Sequence, residues 1–245
     1  MTALVYTRYE LLRTFRNRRF VVISLAFPLI LYFAIAGPNR NEHDLGGTGI
    51  SAPLYFMVSL AAYGAMNAVL SAGARIAGER SAGWNRQLRL TPLSPRAYFR
   101  AKVATGYTMA LITIVLLYVA GGSLGVHIGA GRWVHMTWML LVGLVPFVAL
   151  GIVLGHKLTV DSIGPVMGGT TAVFSILGGV WFPIGSHGAL HDVAEGLPSY
   201  WLVRAGQIGV GGSGWGTTGW LVVAAWAFVL TAAARWAYRV DTLRV

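Results

Sequence analysis

Cysteine is absent from this 245-residue chain, which removes disulfide frameworks, thiol nucleophiles and thiolate metal sites from consideration. Acidic residues are scarce: eight Asp and Glu stand against 19 Lys and Arg, for a net charge of +11. No N-x-[ST] sequon occurs, so glycosylation marks neither side of the chain. A G-x-x-x-x-G-K-[ST] stretch is also missing, so the chain has no phosphate-cradling loop of its own. Charged residues make up only 11%, against roughly a quarter in soluble domains. That little polar surface cannot cover a chain that is 56% hydrophobic, and the composition reads as an integral membrane protein.

What is present in quantity is long apolar sequence. Six runs, 20–37, 53–74, 103–122, 137–155, 164–182 and 219–237, each approach the ~20 residues that a helix needs to cross ~30 Å of hydrocarbon. The fifth is rich in Gly and Thr, small residues that let membrane helices approach closely. The expected fold is all-α and polytopic, in a single domain with no tandem repeat, soluble domain or low-complexity tail.

Alternating the loops puts 16 of the 19 Lys and Arg on one side, leaving Arg40, Arg132 and Arg204 on the other. By the positive-inside rule both termini and the segment 75–102 are expected in the cytoplasm, with the protein in the cell membrane. The basicity is therefore topological and calls for no nucleic acid. Basic residues precede the first run, and Ala34-Ile35-Ala36 resembles a small-residue cleavage site. The leading region is too long for a signal peptide, so an uncleaved first helix is expected.

Residues 1–19 have helical spacing of their own. Leu4, Val5, Leu11, Leu12 and Phe15 share one arc, with Glu10, Arg13, Thr14 and Asn17 opposite. This predicts an interfacial helix, with Arg16, Arg18 and Arg19 near lipid phosphates. Arg8 falls inside the apolar arc and fits there only by snorkelling or pairing. The outer segment 183–218 carries shorter apolar stretches, predicted to form interfacial or re-entrant helices.

Catalytic signals are weak. Gly209, Gly211 and Gly214 fit G-x-G-x-x-G formally but follow no strand, and a hinge explains them better. His187 and His191 lie at i, i+4 near Asp192 and Glu195, a spacing compatible with a metal and equally with two interfacial histidines; no metal site is assigned. The span interiors are almost free of charge, with Asn67 and scattered hydroxyls as polar handles. That argues against an ion-coupled transporter, a membrane-embedded enzyme or any catalytic residue, and implies an energy source on another subunit.

One segment stands out. "ERSAGWNRQLRLTP", from Glu79 to Pro92, lies between the second and third runs, and "GGVWFPIGSHGALHDVAEGLP" leaves the fifth. In this order the two resemble the permease subunit of ABC-2-type exporters over nearly the whole chain. The family often shows E-R-E-x-G-T-L-E-x-L-x-x-T-P at the first position. Glu79, Arg80, Gly83, Leu88, Thr91 and Pro92 keep that pattern, whereas Ser81, Trp84, Asn85 and Arg86 depart from it, Arg86 with reversed charge.

The resemblance implies a cytoplasmic coupling helix within 75–102, seated in a separate ATPase. Arg80, Arg86 and Arg89 would meet an acidic groove, Trp84 and Leu88 would serve as apolar anchors, and Pro92 with Pro95 would end the helix. It also implies two copies of an ATP-binding subunit carrying ATP and Mg, no cofactor on this chain, and a second permease chain. The expected pathway lies at the dimer interface within membrane lipid. Met57, Tyr63, Met66 and Asn67 of the second run are its candidate lining, with Phe174 and Trp181 of the fifth. Each of them is equally at home as a packing or lipid-facing group. The small loops favour a drug-like or lipid-like amphipathic substrate; polysaccharide or glycolipid export is the alternative within the family, and an assembly factor the alternative outside it.

Overall fold

A computed structural model describes residues 3–84, 87, 90–91, 93–212 and 214–243. The described residues are helical and contain no strand. Helix α1 (Ala3–Arg16) is followed by α2 (Arg18–Ala36), α3 (Ala52–Ser81), α4 (Pro95–Ser123), α5 (Ala130–Gly143) and α6 (Val145–Lys157). Then come α7 (Val160–Leu177), the short α8 (Ala189–Glu195) and α9 (Pro198–Arg204), and α10 (Thr217–Leu243). Six segments are long and apolar enough to cross a membrane, with α5 and α6 together making the fourth.

The boundaries differ from the sequence reading where turn chemistry outweighs hydropathy. Helix α3 runs on to Ser81 and α4 already starts at Pro95, so the expected loop 75–102 shrinks to the connection 82–94. Ser94 caps α4 by accepting from the Ala97 amide, and Pro95 occupies the first turn, where its missing N–H costs nothing. The fourth span is interrupted at Leu144, just before Pro146, because proline removes a helical donor and crowds the preceding turn. The fifth ends at Leu177, not 182: Gly179 turns the chain at φ +76°, a conformation open to glycine.

Helix α3 is the axis of the bundle. In its most apolar window 83% of residues are buried, against 17% in α2, 11% in α7 and 17% in α10. It packs against α2, α4, α6, α7 and α9. Its crossing with α6 is backbone to backbone. A Cβ at Gly73 would lie 2.3 Å from the Gly151 carbonyl carbon, and one at Gly155 would lie 2.3 Å from the Gly73 oxygen. Gly151 and Gly155 are four residues apart, the small-xxx-small spacing that lets membrane helices touch.

At the end opposite the basic loops, α8 and α9 cover the bundle as short helices, and α9 is buried from Pro198 to Val203. Three indoles pin this cover: Trp201 Nε1 donates to Glu195 O at 2.9 Å, Trp215 Nε1 to Trp201 O at 2.6 Å and Trp226 Nε1 to Gly196 O at 2.8 Å. Gly211 and Gly214 adopt positive φ in the turn leading to α10, a bend rather than a nucleotide loop.

Candidate functional site

The basic end of the bundle holds a cluster of buried, paired charges. Lys102 on α4 is 2% exposed, and its Nζ lies 2.5 Å from Glu10 Oε1 of α1 and 2.5 Å from Glu79 Oε1 of α3. The two carboxylates are themselves 4% and 3% exposed. Arg13 reaches Glu79 Oε1 at 2.9 Å from the rim, and the Tyr98 hydroxyl donates to Glu79 Oε2 at 2.6 Å. Arg75 donates to Thr14 Oγ1, which in turn donates to the Glu10 carbonyl at 3.0 Å. One cation thus bridges two acids from different helices, with Arg13 and Tyr98 as further donors to Glu79 and Arg13 3.9 Å from Glu10. Buried charges persist only when paired and hydrogen-bonded in this way.

The cluster turns the expected orientation of α1 to account. Its apolar arc faces outward, with Leu4 83%, Leu12 53% and Phe15 40% exposed, as a helix against lipid requires. The face with Glu10 and Thr14 is the one packed against the protein. Burial, with Glu10 and Glu79 close by, pushes the Tyr6 phenol on that same face above its ordinary pKa, so it stays neutral. Arg8, on the outward arc, is exposed, which fits snorkelling.

A second cluster lies beside the first. Arg80 meets Asp241 Oδ1 at 2.7 Å near the end of α10, and His156 Nδ1 of α6 lies 2.9 Å from Asp241 Oδ2. Arg80 also donates to the Gly155 carbonyl at 3.4 Å. The Phe99, His156 and Tyr238 rings pack edge to face or tilted, with centroids 5.1–5.9 Å apart. Adjacent residues of α3 therefore fasten it in two directions, Glu79 to α1 and α4, and Arg80 to α6 and α10.

Glu79 and Arg80, expected in the coupling segment, are engaged within this chain, Glu79 fully buried and the Arg80 side chain still 31% exposed. The physical reason is the extra length of α3, which carries both into the bundle, where the few carboxylates and guanidinium groups find each other. Gly83 ends α3 with φ +69°, and its amide returns to the Arg80 carbonyl at 3.0 Å, a glycine stop. Trp84 is 39% and Leu90 87% exposed, and Thr91 is exposed too. Arg86, Leu88, Arg89 and Pro92 lie outside the described residues.

The candidate pathway residues separate. Met57 and Met66 are 0% and 1% exposed in the single-chain core, Met57 with its sulfur against Gly121. They face the interior, because α3 is enclosed by α2, α4, α6, α7 and α9. Tyr63 and Asn67, on another side of α3, are half-buried and meet the fifth span. The Tyr63 ring lies 5.5 Å from Trp181, and Asn67 Oδ1 accepts from Thr171 Oγ1 at 3.1 Å. Phe174 packs instead on Phe147 and Trp226. Trp181 is tied down through Nε1 to Ser175 Oγ at 3.1 Å, and the Tyr55 hydroxyl donates to the Gly179 carbonyl.

His187 bonds Ser186 and His191 packs on Tyr200; among the described residues no three His, Asp or Glu gather as a metal site. Sequence reasoning missed Lys102 and Glu10 as partners of Glu79. A signal was there: on a side crowded with arginines an acid is conspicuous, and Glu10, Glu79 and Asp241 are all used to join helices.

The ion pairs join the ends of α1, α3, α4, α6 and α10. The family model for the ABC-2 type transporter matches residues 3–210. The chain is 26% identical over 209 residues, 81% of its own length and 84% of the relative's, to the Bacillus subtilis (strain 168) protein named "Putative transport permease YvfS". The matched region starts at α1 and includes both arms of the Glu79–Lys102 bridge, and the chain belongs to the ABC-2 type transporter family.

Proposed function

We propose that this chain is the membrane subunit of an ATP-driven exporter, working as a dimer of permease chains with two copies of a separate ATP-binding subunit. It sits in the cell membrane with both termini in the cytoplasm, and ATP and Mg are handled by the partner. The observation that carries this reading is the clamped base of the connection 82–94. Glu79 and Arg80 at one end, and Lys102 near the other, are tied to each other and to three further helices, α1, α6 and α10, while Leu90 and part of the Trp84 ring are exposed. A short element that is rigid at its root and exposed at its tip can accept a push and pass it to the spans.

Gly83 and Thr91, which keep the family pattern, belong to that tip. Glu79 and Arg80 act behind it, as the anchor. The pathway would run along the thinly covered α7, with Tyr63, Asn67 and Trp181 at its seam with α3, surroundings suited to a drug-like or lipid-like amphipathic molecule.

Co-purification with the cognate ATP-binding subunit tests this reading. Trp84→Glu with Leu90→Glu is expected to cut recovery of the subunit and substrate-stimulated ATPase at least tenfold, with the permease itself still folded. Wild-type recovery and wild-type ATPase in that variant would sink the docking role.

A further inference from the structure

Beside the second cluster, whose Phe99 and Tyr238 rings help line it, a groove of about 790 Å³ opens between α4, α6 and α10. Its floor is apolar, with Phe99, Val103 and Ile152 prominent. Its mouth, at the basic end, carries Arg96 of α4 with Arg235 and Arg239 of α10. Arg96 and Arg235 are exposed, and among the described residues neither has a carboxylate within ion-pair distance. Three acids of this end are taken, Glu10 and Glu79 by Lys102 and Arg13 and Asp241 by Arg80 and His156, and the fourth, Asp161 at the start of α7, does not line the groove.

The dimensions match one leaflet. From Pro95 to Tyr107, both of which line the groove, a helix rises about 18 Å at 1.5 Å per residue, a little over half of a ~30 Å hydrocarbon core. The apolar run of α4 begins only at 103, so the groove starts at the level of the headgroups and reaches into the outer part of that leaflet's hydrocarbon.

We propose that this groove binds one anionic phospholipid from the leaflet at the basic end, its phosphate between Arg96 and Arg235 and an acyl chain along Val103 and Ile152. Charge complementarity selects this occupant. A phosphate presents the acceptor geometry that guanidinium forks fill. An apolar helix from another chain would cover the floor and leave both guanidinium groups unmatched at the edge of the membrane. The site is separate from the docking tip and from the α3–α7 seam, and needs neither ATP nor a transported molecule.

Native mass spectrometry of the full chain in detergent tests it, with dioleoyl phosphatidylglycerol, dioleoyl phosphatidylcholine and glycerol phosphate as probes. Phosphatidylglycerol should be retained at least tenfold over phosphatidylcholine. Each arginine near an anionic headgroup contributes about fivefold, so Arg96→Gln with Arg235→Gln should weaken phosphatidylglycerol roughly 20–30-fold and leave phosphatidylcholine unchanged. Val103→Trp, which fills the floor while keeping the arginines, should reduce both lipids. Equal retention of the two lipids by the wild type would overturn the proposal, as would phosphatidylglycerol binding untouched by the arginine pair. Tight binding of glycerol phosphate alone would assign the arginines to a soluble phosphate instead. Loss of a dimer, with lipid retention unchanged, in Val103→Trp would assign the floor to a second chain. Because the arginine pair is exposed, its melting temperature should match wild type, which keeps the comparison valid if the tryptophan variant misfolds.

Discussion

Replacing Lys102 with methionine removes one charge and little else. The stem length is kept, so the apolar contacts of the side chain survive while its Nζ, 2.5 Å from both Glu10 and Glu79, disappears. Two buried carboxylates then face each other, with Arg13, whose side chain is 60% exposed, as a counter-ion at 2.9 and 3.9 Å and Arg75 close by. Removing one partner from a buried pair costs about 3–5 kcal/mol. Arg13 and the Tyr98 hydroxyl still serve Glu79, so the loss should fall at the lower end, about 3 kcal/mol, roughly a hundredfold in the folded-to-unfolded ratio. At about 2–4 °C per kcal/mol for a chain of this size, the melting temperature should drop by roughly 6–12 °C.

Tryptophan fluorescence during thermal and SDS unfolding of the detergent-solubilised protein would measure it. The decisive companion is Glu10→Gln with Lys102→Met, which removes an acid together with the ammonium. It should be about 1–2 kcal/mol more stable than Lys102→Met alone, because the excess buried charge is gone. If Lys102→Met lies within about 0.5 kcal/mol of wild type, or the double variant is simply the sum of the two single losses, the cluster is not the clamp described above.

Gly73→Ala should cost about 1–3 kcal/mol by forcing α3 and α6 apart, since its Cβ would meet backbone at 2.3 Å; Gly131→Ala, with nothing within 4 Å, should leave the melting temperature unchanged. Asp241→Asn weakens the ties to Arg80 and His156 at a partly exposed site. A loss of about 0.5–1.5 kcal/mol is expected, together with faster hydrogen exchange confined to the last turns of α10, whereas unchanged exchange there would show that Asp241 fastens nothing.

The number and order of the spans were legible because lipid imposes a single rule, about twenty apolar residues per crossing, which runs of Leu, Val, Ala and Phe satisfy visibly. Their ends were less legible. Ser94 and Pro95 start α4, and Gly179 stops α7, through cap and dihedral preferences that a hydropathy window averages away. In the candidate site, Glu79 and Arg80 were legible as important residues, but not the direction in which they point.

The sequence by itself determined that this chain crosses a membrane, which end is basic, and that residues 79–92 carry the family pattern. Each of these is a property of neighbouring residues or of composition. Only the tertiary structure decided that Lys102 joins Glu10 to Glu79, that Met57 and Met66 are core, and that Arg96 and Arg235 share a groove. Those facts depend on helices far apart in the chain meeting at a given rotation, and a turn of 100° per residue exchanges an inward acid for an outward one.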